Sequence, residues 1–362
     1  LLKKIDIYII KKYLKTFFFT ILLITMVAVV IDFSEKVEKF LNQSISFNEI
    51  VFDYYVNFIP WINGLLWPLF ALIAVIFFTS RMAKDSEIIS ILASGVSYYR
   101  LLVPYLVAAS FLASLLWVGN NYIIPRSTKI KANFENEYIW RGNKKTLNEN
   151  VHMRIGPDEK IFVRYFRLRD STMIDFRLET FEDGELRRLL KAKRLKYDNS
   201  SGRWTMKDYM VRTFDGMKET LDSESGEELD TLLNFTPEEF IRFANQMEMM
   251  TSPEIMRYVE DQNSKGLQNP KKFMVEYHRR NADPFTIIIL TVIGVSLASR
   301  KVRGGLGLNL ALGLLLGSIF VLISKFSTSF AFSQTLTPML GIWIPNMVFA
   351  VVAIVLLTRA QK

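Results

Sequence analysis

Stretches without a charged side chain interrupt an otherwise mixed sequence at Thr16–Ile31, Tyr54–Ser80, Leu101–Pro125, Pro284–Ser299, Gly304–Ser324 and Phe326–Thr358. About 20 apolar residues cross roughly 30 Å of hydrocarbon. Four of the runs reach that length, while Thr16–Ile31 and Pro284–Ser299 hold 16 residues each and must borrow flanking turns. The pattern predicts six spans, with turns at Lys325 and at Thr337-Pro338 and a last span from about Leu340 to Leu357. An even number of spans returns both termini to one side. Ahead of the first run, Leu2, Ile5, Ile9 and Tyr13 share one helical face, and Lys4, Lys11 and Lys15 share the opposite one. This predicts an amphipathic helix lying in the interface before the chain turns inward, with a straight extension of the first span as the alternative. The first span is expected to remain in place, because no small-residue cleavage site follows it.

Between the third and fourth spans the period changes. Ile161–Phe166, Ile174–Phe181, Leu189–Tyr197, Trp204–Phe214 and Asp230–Phe235 read as short strands with partial alternation. Turn signals separate them at Gly156-Pro157-Asp158, Asp183-Gly184, Asn199-Ser200-Ser201-Gly202 and Asp215-Gly216. Such spacing suggests an antiparallel sandwich or open barrel. Two helices follow, one from the Ser252 cap to about Ser264 and one over Pro270–Ala282. The fold class is therefore membrane α plus β: residues 1–125 carry the amphipathic helix and three spans, 126–283 form a β domain with C-terminal helices, and 284–362 carry three more spans.

Composition sharpens this division. Of 362 residues, 50% are hydrophobic and 28 are Phe. Residues 126–283 hold 29 Lys/Arg and 28 Asp/Glu, leaving only 16 and 8 for the rest of the chain. A polar block inside a greasy chain excludes a soluble two-domain enzyme and a disordered protein. With no Cys, disulfides, thiolate nucleophiles and Cys-ligated metals are excluded. The short segments 1–15, 81–100, 300–303 and 359–362 carry 13 Lys/Arg against 3 Asp/Glu. Residues 32–53 and Lys325 together carry 3 against 5. The first set is therefore expected in the cytosol and the polar block outside it. The net charge of +9 is a topology signal; nucleic-acid binding finds no support.

No catalytic constellation emerges. His152 and His278 lack metal-ligand spacing, no G-x-S-x-G elbow occurs, and no G-x-x-x-x-G-K-[ST] loop is present for ATP. Catalytic, metal and cofactor sites are all expected to be absent. Gly304, Gly305, Gly307, Gly313 and Gly317 suggest close helix packing. The loop Arg81–Arg100 is the informative one. Asp85-Ser86-Glu87 followed by Ile88, Ile89, Ile91 and Leu92 reads as a short amphipathic helix stopped by Gly95. Its apolar stripe needs a membrane surface or a partner protein. Two readings stand side by side: a permease driven by a separate ATPase, and a structural interfacial loop.

These residues resemble the LptF/LptG family of lipopolysaccharide-transport permeases. The loop is similar to the family's coupling helix, with the acid at Glu87 and Ala93-Ser94 before Gly95. Pro60 and Pro68, Glu276-x-His278-Arg279-Arg280 ahead of Pro284, and the basic-then-glycine turn Arg300–Gly307 fit as well. Ile5-Asp6-x-Tyr8 and Ile31–Glu38 lean toward the LptG side. Asp32 stands where LptG proteins carry a basic residue near the outer end of the first span. The resemblance implies an inner-membrane protein with cytoplasmic termini and a periplasmic β-jellyroll. It implies a heterodimer of LptF and LptG, a cytosolic LptB ATPase dimer that uses ATP-Mg, an LptC-like bitopic bridge, and lipopolysaccharide as cargo. Ser86, Glu87, Ile88, Ile91, Ala93, Ser94 and Gly95 would then couple to the ATPase, with Glu87 pairing a basic residue of the docking groove. Asp32, Lys36, Lys39 and Lys325 would line the substrate path, the lysines drawing phosphate groups. A membrane-anchored periplasmic scaffold without transport is the alternative. An intramembrane enzyme has only Asn57, Asn63, Asn309 and Asn346 as mid-span amides.

Overall fold

The computed structural model describes residues 3–42, 45–139, 149–167, 170–199, 201–233, 235–237, 246–264, 271–300, 305–333 and 336–360. Leu2, Ser200, Pro270 and Gly304, which carried parts of the sequence reading, lie outside them. The chain forms two compact units. One comprises Leu1–Arg141, Met247–Ile255 and Lys271–Lys362; the other comprises Gly142–Gln246 and Met256–Pro270. The helical unit thus reaches beyond residue 125 and resumes ahead of 284.

The helical unit contains α1 (Lys4–Asn42), α2 (Val56–Lys84), α3 (Glu87–Ala93), α4 (Tyr98–Val118) and α5 (Ile124–Phe134). It continues after the insert with α6 (Gln246–Met249), the start of α7 (Ser252–Ser264), α8 (Lys271–Ala298), α9 (Gly305–Phe332) and α10 (Pro338–Ala360). Six helices are long and apolar enough to cross a membrane. Wide π turns at Glu49–Tyr55 and Gly119–Ile123 extend the second and third of these.

The first helix departs from the expected bend. It runs unbroken for 39 residues, about 58 Å at 1.5 Å per residue. Its buried stripe begins Asp6, Ile9, Tyr13, Phe17, a spacing of three to four residues that faces the bundle rather than lying on a membrane surface. Continuous helix keeps every backbone group bonded where the chain enters the apolar layer, which a turn at that depth would not. The same reason carries α8 through Pro284 and α9 through Lys325. Lys325 therefore lies within a helix, about two turns before its end, and not in a turn; its long stem lets the ammonium reach the polar boundary.

Little covers α1 and α9. Only 6% of the most apolar stretch of α1 is buried, and 17% for α9, against 61% for α8. The central helix α2 packs on both. Gly313 and Gly317 of α9 let the chain approach Ile76, Leu69 and Leu72, and Gly294 of α8 meets Val75 and Ile76. Gly307 has open space around it and plays no such part. Polar ties cross the apolar layer as well: Thr25 to Asn63 at 2.8 Å, Asn309 to Ser80 at 2.9 Å and Thr286 to Asn346 at 2.8 Å. Three of the four mid-span amides thus bond neighbouring helices, and the fourth, Asn57, bonds its own backbone.

In the second unit six antiparallel strands follow one another in a single sheet: β1 (Glu149–Arg154), β2 (Glu159–Arg167), β3 (Thr172–Glu182), β4 (Glu185–Asp198), β5 (Arg203–Asp215) and β6 (Lys218–Thr231). Antiparallel β structure is as the pattern predicts, and the strands follow one another in sequence order as a meander. One row of the ladder is broken across five strands, at Asn150, Arg164, Asp175, Lys193 and Asp208. Asn150, Asp175 and Asp208 adopt left-handed backbone, φ 50°, 52° and 54°. Inward-facing residues change parity across that row. They pass from Val163 to Phe166, from Met173 to Phe176, from Ala192 to Leu195 and from Met206 to Tyr209, all in one core. A left-handed residue reverses the side-chain alternation of a strand, so both halves of the sheet turn their apolar faces inward. Trp204 closes this core, its indole N–H donating to the Phe235 carbonyl at 3.0 Å.

β6 was not legible in the pattern, which placed a strand at Asp230–Phe235 instead. The observed strand is acidic and nearly devoid of apolar residues. Its side chains pair with polar ones of β5: Lys207 meets Glu228 at 3.2 Å, the Thr205 hydroxyl donates to Asp230 at 2.7 Å, and Arg212 bonds Glu219.

The glycines of the bundle yield a test. A Cβ at Gly341 would sit 2.5 Å from the Ala331 Cβ and 3.1 Å from its Cα, a backbone atom that cannot yield. Gly341→Leu should cost about 1–3 kcal/mol by overpacking, whereas Gly307→Leu should leave the melting temperature of the detergent-purified protein unchanged.

Candidate functional site

At one end of the bundle, α3 sits between α2 and α4. Ser86 precedes it in left-handed conformation, φ 58°, and Gly95 ends the turn after it at φ 88°. Only a residue tolerant of positive φ fits at Gly95, which explains the stop. The Ser94 hydroxyl donates to the Ile91 carbonyl at 2.7 Å, and the Ser90 hydroxyl to that of Ser86 at 3.0 Å. The apolar stripe needs less outside cover than its sequence suggests. Ile88 is buried, and Ile91 and Leu92 pack on the chain's own core. Ile89, Ser90, Ala93, Ser94 and Gly95 face outward.

Glu87 has a partner within the chain. Lys12 Nζ donates to both carboxylate oxygens, at 3.1 and 3.2 Å, and the Tyr8 hydroxyl donates to Oε2 at 3.0 Å. The ammonium also lies 4.4 Å from the centre of the Tyr8 ring. The side chains of Lys12 and Glu87 are about one-third exposed, 33% and 32%, so this pair contributes about 1 kcal/mol or less to the fold. One turn earlier, Asp6 is buried and takes two bonds from the Arg100 fork, at 2.9 and 2.6 Å. These contacts join residues 75 and 94 positions apart; single-helix periodicity carries no signal for them.

At the opposite end Asp32 and Lys36 meet on successive turns of α1. Lys36 Nζ lies 2.6 Å from Asp32 and 3.3 Å from Glu135, and it donates to the Tyr54 hydroxyl. Tyr54 and Tyr55 donate to Asp32 at 3.1 and 3.4 Å. Lys131 bonds Glu135 at 3.0 Å and stands 4.2 Å over the Trp61 ring. Two acids and two bases thus balance in a cluster that is largely buried. Lys36, expected as an open cation for phosphate, is instead neutralised inside the chain by Asp32 and Glu135. Asp32 serves as its counter-ion. Lys39 lies one turn further along α1, half-buried, and Lys325 is exposed on α9.

A third cluster escaped the reading of single residues, although its spacing was in view. Glu276, Arg279 and Arg280 stand at i, i+3 and i+4 on α8, which places one carboxylate between two guanidiniums, at 2.8 Å from each. Arg280 is buried and also donates to the Met247 and Met250 carbonyls at 2.9 and 2.7 Å. It thereby fastens the segment that returns from the β unit. Thr251 and Glu254 form the backward bond of a capping box at the start of α7, with the Thr251 N–H donating to Glu254 at 2.7 Å. The helix cap is therefore Thr251, one residue before the Ser252 expected. Burial raises the pKa of the nearby Glu248 carboxyl, and the Glu276 carboxylate adds to that. No cluster of His, Cys, Asp or Glu suited to a metal ion occurs among the described residues.

Nearly the whole length of the chain is matched by known proteins. The model of the family described as lipopolysaccharide export system permease LptF/LptG matches residues 7–359. This chain belongs to that family. The lipopolysaccharide export system permease protein LptG of Haemophilus influenzae is 19% identical over 364 residues, covering 100% of both chains. As an LptF/LptG permease the chain is a multi-pass membrane protein whose family role is export and not catalysis.

Within this permease the Arg280 clasp should behave as a buried ion pair. Arg280→Ala leaves two carbonyls unpartnered and should cost about 3–5 kcal/mol. Thermal unfolding would read the loss, and limited proteolysis should then cut within 246–255. Glu248→Gln, which removes a charge that burial disfavours, should be neutral or slightly stabilising in the same assay.

Proposed function

We propose that this chain is the membrane-embedded subunit of an ATP-driven transporter that extracts lipopolysaccharide from the outer leaflet of the inner membrane. The observation that carries the reading is the family match from residue 7 to residue 359, which takes in the short helix and the insert together. A separate ATPase dimer supplies the energy, since the sequence has no phosphate-binding loop of its own. Extraction needs that energy: each acyl CH₂ removed from an apolar environment costs about 0.8 kcal/mol, and a lipid with several chains presents dozens of them.

The geometry suggests a division of labour. The outward residues of α3, with Glu87 at its start, form the surface on which the ATPase rests. The uncovered faces of α1 and α9, on either side of α2, are where a paralogous permease and the lipid would meet the chain. Lys325, exposed on α9, is the cation best placed to meet a lipid phosphate, and Lys39 stands near the outer end of α1. Asp32 and Lys36 set the shape of that end as a neutral pair. The β unit, with its apolar core inside a creased sheet, receives the lipid and hands it to a bitopic bridging protein. In this reading the α3 end faces the cytoplasm, in keeping with the Lys/Arg bias of its loops.

The test is co-expression with the paralogue and the ATPase, followed by affinity purification. Glu87→Arg should abolish recovery of the ATPase and lipopolysaccharide transport while membrane insertion stays normal. Wild-type recovery with that variant would remove the coupling role of α3. Lys325→Glu should leave the ATPase in the complex and lower photo-crosslinking to lipopolysaccharide several-fold.

A further inference from the structure

We infer that Lys12, helped by Tyr8, is a positioning residue for Glu87, and that it makes α3 and α1 move as one body when an ATPase acts on α3. The inference rests on the docking role given to α3 above.

The contact geometry carries the first half. Lys12 Nζ touches both oxygens of Glu87, and the Tyr8 hydroxyl fixes one of them. A carboxylate accepts about four hydrogen bonds. Three are used here, so a cation from a docking protein can still join the group without displacing Lys12. The carboxylate is held in one direction and remains partly exposed, with a side-chain exposure of 32%. Such an arrangement presets an acceptor; it does not conceal one.

The placement of Lys12 on α1 carries the second half. Its neighbour Tyr13 is fully buried and is held from two sides, by the Thr291 hydroxyl at 2.8 Å and the Ala71 carbonyl at 3.3 Å. Ile9 and Phe17 are buried in the same core, and Asp6 is held by Arg100. Past Phe17 the apolar stretch of α1 is almost uncovered. Its polar holds resume at Thr25, which bonds Asn63, and then at Asp32 and Lys36. The helix is therefore pinned near Tyr13, and the Glu87 contact falls one residue from the pin. From Lys12 to Asp32 the rigid rod spans about 30 Å at 1.5 Å per residue. A displacement of α3 applied at Lys12 is carried along this rod to the ties at Thr25, Asp32 and Lys36. Without Lys12 the ATPase would still find α3, but its motion would reach α1 only through the slack of apolar contacts.

The experiment uses the full chain with its paralogue and ATPase, reconstituted in liposomes containing lipopolysaccharide. Three quantities are measured: ATPase recovery, melting temperature, and lipopolysaccharide molecules removed per ATP hydrolysed. Lys12→Met keeps the apolar stem and deletes the charge. It should retain the ATPase and the wild-type melting temperature, and lower removal per ATP about three- to fivefold, the upper part of the range expected from losing one partly exposed pair. Lys12→Arg should restore the ratio to within about twofold. A wild-type ratio in Lys12→Met overturns the inference. So does a loss that follows a fall in melting temperature and is not rescued by arginine. Glu87→Arg separates the two levels. If that variant binds ATPase normally, the docking reading itself fails; if it does not, a silent Lys12→Met removes only the positioning role.

Discussion

Helices in a hydrocarbon layer gain nothing from hiding apolar side chains from one another, because lipid is as apolar as leucine. What holds this bundle is therefore close approach at small residues and polar ties at the ends. The glycines of α8 and α9 bring backbones against Leu72, Val75 and Ile76 of α2. The ends are held by charge: Asp6 with Arg100, Lys12 with Glu87, Lys36 with Asp32 and Glu135, and Glu276 with two arginines. The buried ties among these sit where the dielectric changes from water to lipid, so they are stronger than a surface pair and less costly to form than one at mid-membrane, whereas the partly exposed Lys12–Glu87 pair serves direction more than strength. The least covered helix, α1, depends on them most. It is also the helix whose two charged ends lie about one bilayer thickness apart.

The β unit solves a different problem. A single antiparallel sheet has two faces and can bury one only against something else. Here the broken row through Arg164, Asp175, Lys193 and Asp208 switches which residues point inward, and the two halves of one meander supply a common core around Phe176, Leu195 and Trp204. Aspartates at two of these positions make the switch cheap, since a short polar side chain tolerates left-handed backbone better than most. For a protein that hands on a greasy cargo, a creased sheet has a plain advantage over a flat one: apolar surface is held inside a fold of backbone.

Much of the architecture could be read along the chain, and particular residues show why. Uncharged runs located all six spans. Gly95 marked the end of α3, and the turn dipeptides Asp183-Gly184 and Asp215-Gly216 fell in hairpins. These are local signals, set by one element's own period or φ. The misreadings have a common cause. The bend before the first span, the turn at Lys325, the stop of a helix at Ala282 and the reading of Lys36 as a cation for phosphate each assumed that a residue acts by its own polarity. In the fold, continuous backbone hydrogen bonding overrides a single lysine or proline, and Glu135, contributed by a segment 99 residues away, neutralises Lys36. β6 was missed because it is held by its backbone ladder with β5 and by polar pairs across it, which no alternation within β6 reports.

The sequence by itself determined how many long apolar helices the chain forms, that a polar insert separates the third from the fourth, and which short helix breaks the pattern. Transfer of apolar residues from water and the backbone preference of glycine act over a few residues at a time. Tertiary structure alone decided which charges meet. Ion pairing depends on distance in space and on the local dielectric, and contacts such as Lys12 with Glu87 exist only once the helices that carry them have packed.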